Sequence, residues 1–253
     1  MPNDVGDVNV RQALQDGNCQ LASVLVTERL RDAGRLSPAE LAALHCQAAA
    51  AAVSCGRLGD ASEHIAHVRE IDDLDAATAA TAAILLAAVA CCMADDSAAL
   101  CEASDFVDAE IARNLAPAPF RVRMHLAGLR CSFALRRLDS ARAHLDSLRT
   151  DSAAQVHWIE SQVLIAVANL ALLDGRVSDV KATLAQLMPV VTAMGPGVPA
   201  AATWWEVAEV ANAAGLVEEA WEAATRAIDC SAVRPADRHG TFAPGVLMWA
   251  AGT

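Results

Sequence analysis

A short frame recurs about every 40 residues along this chain and limits what it can fold into. Gly56, Leu58, Asp60 and Ala61 return as Gly175, Val177, Asp179 and Val180, and again as Gly215, Val217, Glu219 and Ala220. Gly17, Cys19, Leu21 and Ala22 repeat the frame without the acid. Arg136, Leu138, Ser140 and Ala141 repeat it without the glycine. A further copy, Ala94, Ser97 and Ala99, is weak, and Ala98 would anchor it almost as well. Anchors at Ala22, Ala61, Ala99, Ala141, Val180 and Ala220 lie 39, 38, 42, 39 and 40 residues apart. A fixed period of this size means stacked supersecondary units. Six units, roughly 1–34, 35–75, 76–116, 117–151, 152–195 and 196–234, make one helical-repeat domain over 1–253. Residues 235–253 remain as the start of a further helix or a tail, with a seventh unit begun at Phe242.

The chemistry of the frame predicts helix, tight turn, helix. Glycine ends a helix at positive φ without a Cβ penalty. An acid just before the anchor suits the first turn of the next helix, at the positive end of its dipole. A small anchor lets two helices cross closely. The flanks agree: Ile65 and Val68, Leu145 and Leu148, and Leu184 and Leu187 follow their anchors by steps of four and seven, one helix face. Trp204, Val207, Ala208 and Ala211 do the same before Gly215, as do Leu164, Val167, Ala168 and Ala171 before Gly175. Ser37-Pro38-Ala39-Glu40 reads as a capping box with proline at the first helical position. Pro117 and Pro119, and the run Gly195 to Pro199, break the chain between units.

Trp204, Ala208, Gly215 and Ala220 match, in order, the bulky, small, glycine and alanine positions of the tetratricopeptide repeat, which this frame resembles. The period near 40 resembles the longer tetratricopeptide-like arms of bacterial MalT/LuxR-type transcriptional regulators. The resemblance implies an all-α fold, a right-handed α-solenoid of about six hairpins. It also implies a concave face, lined by first helices, that holds a peptide or partner segment. Carried over by position relative to the anchors of units four to six, that face comprises Arg123, Arg130, Phe133, Gln162, Asn169, Trp205, Glu209 and Asn212. Leu126, Ile165 and Leu172 fall on the same positions. Two arginines on one helical face suit a carboxylate, and Trp205 and Phe133 suit apolar groups. The competing expectation is that longer helices turn these residues into the core.

Composition narrows the function. The net charge is −12 and Lys181 is the only lysine, which argues against a nucleic-acid surface. Arginines group at Arg121, Arg123, Arg130, Arg136, Arg137, Arg142 and Arg149, with Asp139, Asp146 and Asp151 placed to pair with them on a solvated face. Eight cysteines include no CxxC, and most stand in apolar helical stretches, where a thiol packs as a small hydrophobe. With no secretory signal in Met1 to Asp16, a reduced cytoplasmic setting is expected. Residues 76–94 carry no charge, but the run is mostly alanine flanked by acids, so a buried solenoid helix is expected rather than a membrane span.

No nucleophile motif, phosphate loop or HExxH occurs. His64 and His67 share a helix face, but no third metal ligand is evident there. The expectation is a non-enzymatic module with no cofactor or metal that binds a protein or peptide. It would be a regulator's sensory arm, lacking ATPase and DNA-binding parts, with Pro244 to Ala251, which reads as the start of another apolar helix, expected to mark a fragment or a cut before a missing domain. The alternatives are a free-standing receptor for a peptide or small ligand, and an enzyme with an unrecognised site.

Overall fold

The structure is a computed structural model that describes residues 10–14, 18–93, 96–150 and 157–231. Among these residues there are eleven α-helices and no strand. A helical stretch at 10–14 precedes α1 (Cys19–Arg31). Then come α2 (Pro38–Ser54), α3 (Leu58–Arg69), α4 (Ala76–Cys92), α5 (Ser97–Arg113), α6 (Ala118–Ala134), α7 (Leu138–Thr150), α8 (His157–Leu173), α9 (Val177–Ala193), α10 (Val198–Ala213) and α11 (Val217–Ser231). The proposed seventh unit at Phe242, the apolar run after it and Gly17 lie outside the described residues.

Among the described residues, four hairpin turns are closed by one repeated pair of backbone hydrogen bonds. Gly56 N–H donates to Val53 and Arg57 N–H to Ala52, at 2.9 and 2.8 Å. The same two bonds recur at Gly175 and Arg176, and at Gly215 and Leu216. Each glycine holds φ near +73°, the left-handed conformation that this helix C-terminal motif requires. The fourth copy keeps the geometry without glycine: Arg136 sits at φ 56°, with Arg136 and Arg137 donating to Phe133 and Ser132.

Capping follows the sequence closely. Ser37 and Glu40 form both bonds of the capping box, and Pro38 opens α2. Asp75 accepts from the amides of Ala77 and Thr78 at the start of α4, and Asp96 does the same for Ala98 and Ala99 at α5. Asp60, Asp179 and Glu219 stand in the first turns of α3, α9 and α11, where the helix dipole favours an acid.

One anchor differs from the sequence reading. Every second helix starts three residues before its anchor: Cys19 before Ala22, Leu58 before Ala61, Leu138 before Ala141, Val177 before Val180 and Val217 before Ala220. Because α5 starts at Ser97, the third anchor is Leu100, not Ala99. Leu100, Ala103, Ser104 and Val107 are buried and Ala99 is only half-buried. The corrected anchors are 39, 39, 41, 39 and 40 residues apart.

The described residues divide into two compact units, one through Arg137 and one from Leu138. In the first unit α2, α4 and α6 pack side by side as successive first helices, with α3 and α5 against them. Its core joins alanines of α2 and α4 to Val26, Leu44, Val53, Ile65, Val68 and Leu85. In the second unit α8 and α10 pack side by side, with α9 against α8 and α11 against α10. Its core gathers Val180, Leu184, Leu187, Val191, Trp204 and Val207. The uncharged run forms α4, and among the described residues no helix is long and apolar enough to cross a membrane.

The left-handed position yields a prediction. A Cβ at Gly175 meets nothing within 4 Å, so Gly175→Ala carries only the backbone cost, about 1 kcal/mol. Arg136→Gly relieves the same cost and stabilises by roughly 0.5–1 kcal/mol. Urea denaturation followed by circular dichroism should show the two midpoints moving in opposite directions.

Candidate functional site

In the first unit the sequence-chosen face falls on α6. Arg123, Arg130 and Phe133 are half-buried, while Leu126 between them is buried. Burial alone holds the Arg123 guanidinium below its usual pKa. Arg123 has no carboxylate within ion-pair distance among the described residues, which leaves its donors available to an anion. Arg130 lies close enough to Cys91 and Cys92 of α4 for its charge to favour both thiolates.

In the second unit the chosen residues separate into two environments. Gln162 on α8 is buried and donates to Glu206 of α10 at 3.0 Å. Ile165 is buried, and Asn169 and Leu172 are half-buried. These side chains stand where α8 meets α10. On α10 itself Trp205, Glu209 and Asn212 are all exposed and spaced by four and three along one face. The Trp205 indole donates to Glu209 at 3.1 Å, which fixes the ring against that face.

The arginine strip is largely paired. Arg142 bridges Asp139 and Asp174, both at 3.3 Å, and Arg149 meets Asp146 at 3.7 Å. Arg137 reaches Asp105 at 3.8 Å and Cys101 at 3.3 Å. Asp151 lies outside the described residues.

The fold is a tetratricopeptide-like α-solenoid built of helical hairpins. A crystal structure of PilW, described as a widely conserved type IV pilus biogenesis factor, matches 87% of this chain and 91% of its own, with a TM-score of 0.61 and 16% identity. At that identity the likeness is one of fold. No family model matches the chain, and no curated protein matches it.

Two features escaped sequence reasoning. Trp221 is 77% exposed, and with Val217 and Ile228 it forms an outer apolar stripe on α11. The spacing, four from Val217 to Trp221 and seven on to Ile228, was readable, but an inner stripe through Ala220, Ala223 and Ala227 competes with it as the buried face. The second feature is His45, which meets the His64 and His67 pair from the preceding helix. Its Nδ1 stands 3.1 Å from that of His64, and its ring centroid 5.0 Å from that of His67. Among the described residues no group of three or more His, Cys, Asp or Glu is arranged to hold a metal ion.

The histidine cluster instead links stability to pH. Burial first, then His64 and His67, push the His45 pKa down to about 4 from its ordinary 6.5. Burial and His67 also lower that of His64. The unfolded chain therefore binds more protons than the folded one between about pH 6.5 and 4, and stability falls as the pH drops through that window. For a half-exposed ring the screened effect is on the order of 1 kcal/mol. His45→Gln should flatten the dependence of the thermal midpoint on pH between 7 and 4.5, measured by circular dichroism.

Proposed function

We propose that this chain is a non-enzymatic helical-repeat module that binds a protein or peptide partner. The observation carrying this reading is the exposed aromatic surface of the second unit. The chain is poor in aromatics, at 4% with no tyrosine, yet two of its tryptophans face solvent. Trp205 stands 48% exposed on α10, and Trp221 stands with Val217 and Ile228 on α11. Exposed tryptophan set among apolar neighbours is characteristic of partner-binding patches.

A cationic contribution belongs to α6 in the first unit. Arg123 offers guanidinium donors to a carboxylate, Arg130 on the same helix adds positive charge, and Phe133 offers an apolar contact. A segment docked on the second unit would present apolar side chains, and one docked on α6 an acidic group. Within this reading, the period near 40 supports the arm of a MalT/LuxR-type regulator. The solved structure of similar fold is a pilus factor instead, so the regulator reading rests on the repeat frame alone. Continuation of the reading frame into a helix-turn-helix would decide for it.

The test uses calorimetry on peptides selected for binding from a random display library. Trp205→Ala and Trp221→Ala should each cost about 2 kcal/mol, roughly thirtyfold in Kd. Arg130→Glu should abolish binding of those selected peptides that carry an acid. Affinities unchanged in both tryptophan variants would remove the second-unit surface as a binding site, and an unchanged affinity in Arg130→Glu would remove the α6 face.

A further inference from the structure

Cys91 on α4 and Cys131 on α6 face each other, with sulfurs 3.9 Å apart. The two helices pack directly within the first unit. The residues are 40 positions apart, about one repeat, so the period itself brings them together. Cys131 is buried, Cys91 is half-buried, and the neighbouring Cys92 is exposed. We propose that Cys91 and Cys131 are a reversible redox site that closes to a disulfide between the first helices of repeats three and four.

The environment distinguishes the two sulfurs. A hydrogen bond from Cys131 holds the Cys91 thiol below its ordinary pKa despite burial, and the charge of Arg130 adds to this. The same bond and burial push the Cys131 thiol up. Cys91, the more exposed of the two and the one that Arg130 acts on, is the attacking thiolate, and the buried Cys131 is the resolving thiol. The more exposed Cys92 is a poorer nucleophile, because partial burial and the neighbouring Cys91 raise its thiol. At a second thiol pair, Cys19 and Cys55, Cys19 is pushed up to about 11, first by burial and then by Cys55.

The oxidant class is a hydroperoxide. The Cys91 sulfur attacks the terminal oxygen, the O–O bond breaks, and the alkoxide leaves as the alcohol after taking a proton. Cys91 is then a sulfenic acid. The Cys131 sulfur attacks the Cys91 sulfur, the S–O bond breaks, and hydroxide takes the Cys131 proton and leaves as water. Two thiols and one hydroperoxide thus give one disulfide, one alcohol and one water, with two electrons passing to the peroxide. Closing 3.9 Å to a bond of about 2.05 Å needs side-chain rotation and a small helix shift. Such a bond in a reducing compartment would be transient, as redox-sensing disulfides are.

The test treats the reduced full chain with hydrogen peroxide, alkylates remaining thiols with iodoacetamide, and maps tryptic peptides without reduction. A Cys92→Ser, Cys101→Ser double variant leaves Cys91 as the single cysteine of its tryptic peptide. The expected product is a peptide pair joined through Cys91 and Cys131, lighter by two hydrogens than the separate peptides, and cleaved by dithiothreitol. Cys131→Ala should lose the link and leave a Cys91 sulfenic acid that dimedone traps. If Cys131→Ala does not fold, as read by circular dichroism, the double variant decides the matter alone. Alkylation of both Cys91 and Cys131 after peroxide would overturn the proposal, as would a link through Cys92.

Discussion

The close crossing of two helices at the anchor is the constraint on which the rest of the structure depends. Ala22, Ala61 and Ala141 are fully buried, and each lies one turn into a second helix. A small side chain there lets the backbones approach, and residues four and seven positions later fall into the core, as Ile65 and Val68 do after Ala61 and Leu145 and Leu148 after Ala141. Interiors are close-packed, so the side chain at such a point fixes the helix separation. The left-handed turn sets the entry angle, and the anchor sets the distance.

Bonds between neighbouring repeats follow from the same register. Ser23, one residue past the first anchor, accepts from Arg57, four residues before the second. Cys101, one past Leu100, accepts from Arg137, four before Ala141. These equivalent links support Leu100 as the third anchor. In the second unit Lys181, again one past an anchor, meets Glu219 at 3.1 Å. Such exposed pairs contribute little stability each, but they repeat with the fold and specify which turn meets which helix.

Much of this architecture was legible because the turn chemistry is local. Gly56, Gly175 and Gly215, the capping box at Ser37 and the break at Pro117 each act within a few residues, and all stand where the frame puts them. The third anchor slipped by one because Ala98, Ala99 and Leu100 are all apolar and no glycine marks the turn. The candidate face was less legible, since it depends on how successive first helices meet. Gln162 occupies a position that reads as lining a groove, yet it donates to Glu206 at the α8–α10 packing. Trp205, at the α10 position equivalent to the buried Ile165 of α8, stands in solvent. His45 and Cys131 were hidden for a similar reason: each finds its partners half a repeat or a full repeat away, where no local motif can announce them.

The central claim is that burial at the anchor register holds the hairpins together. Comparing the unfolding free energies of Ala61→Leu, Leu100→Ala and Ala99→Leu by chemical denaturation tests it most directly. Overpacking at Ala61 should cost about 1–3 kcal/mol, and truncation at Leu100 about 2–5 kcal/mol. Ala99→Leu, half-buried beside the true anchor, should stay within about 1 kcal/mol of the parent. A neutral Ala61→Leu, or an Ala99→Leu more damaging than Leu100→Ala, would contradict the account.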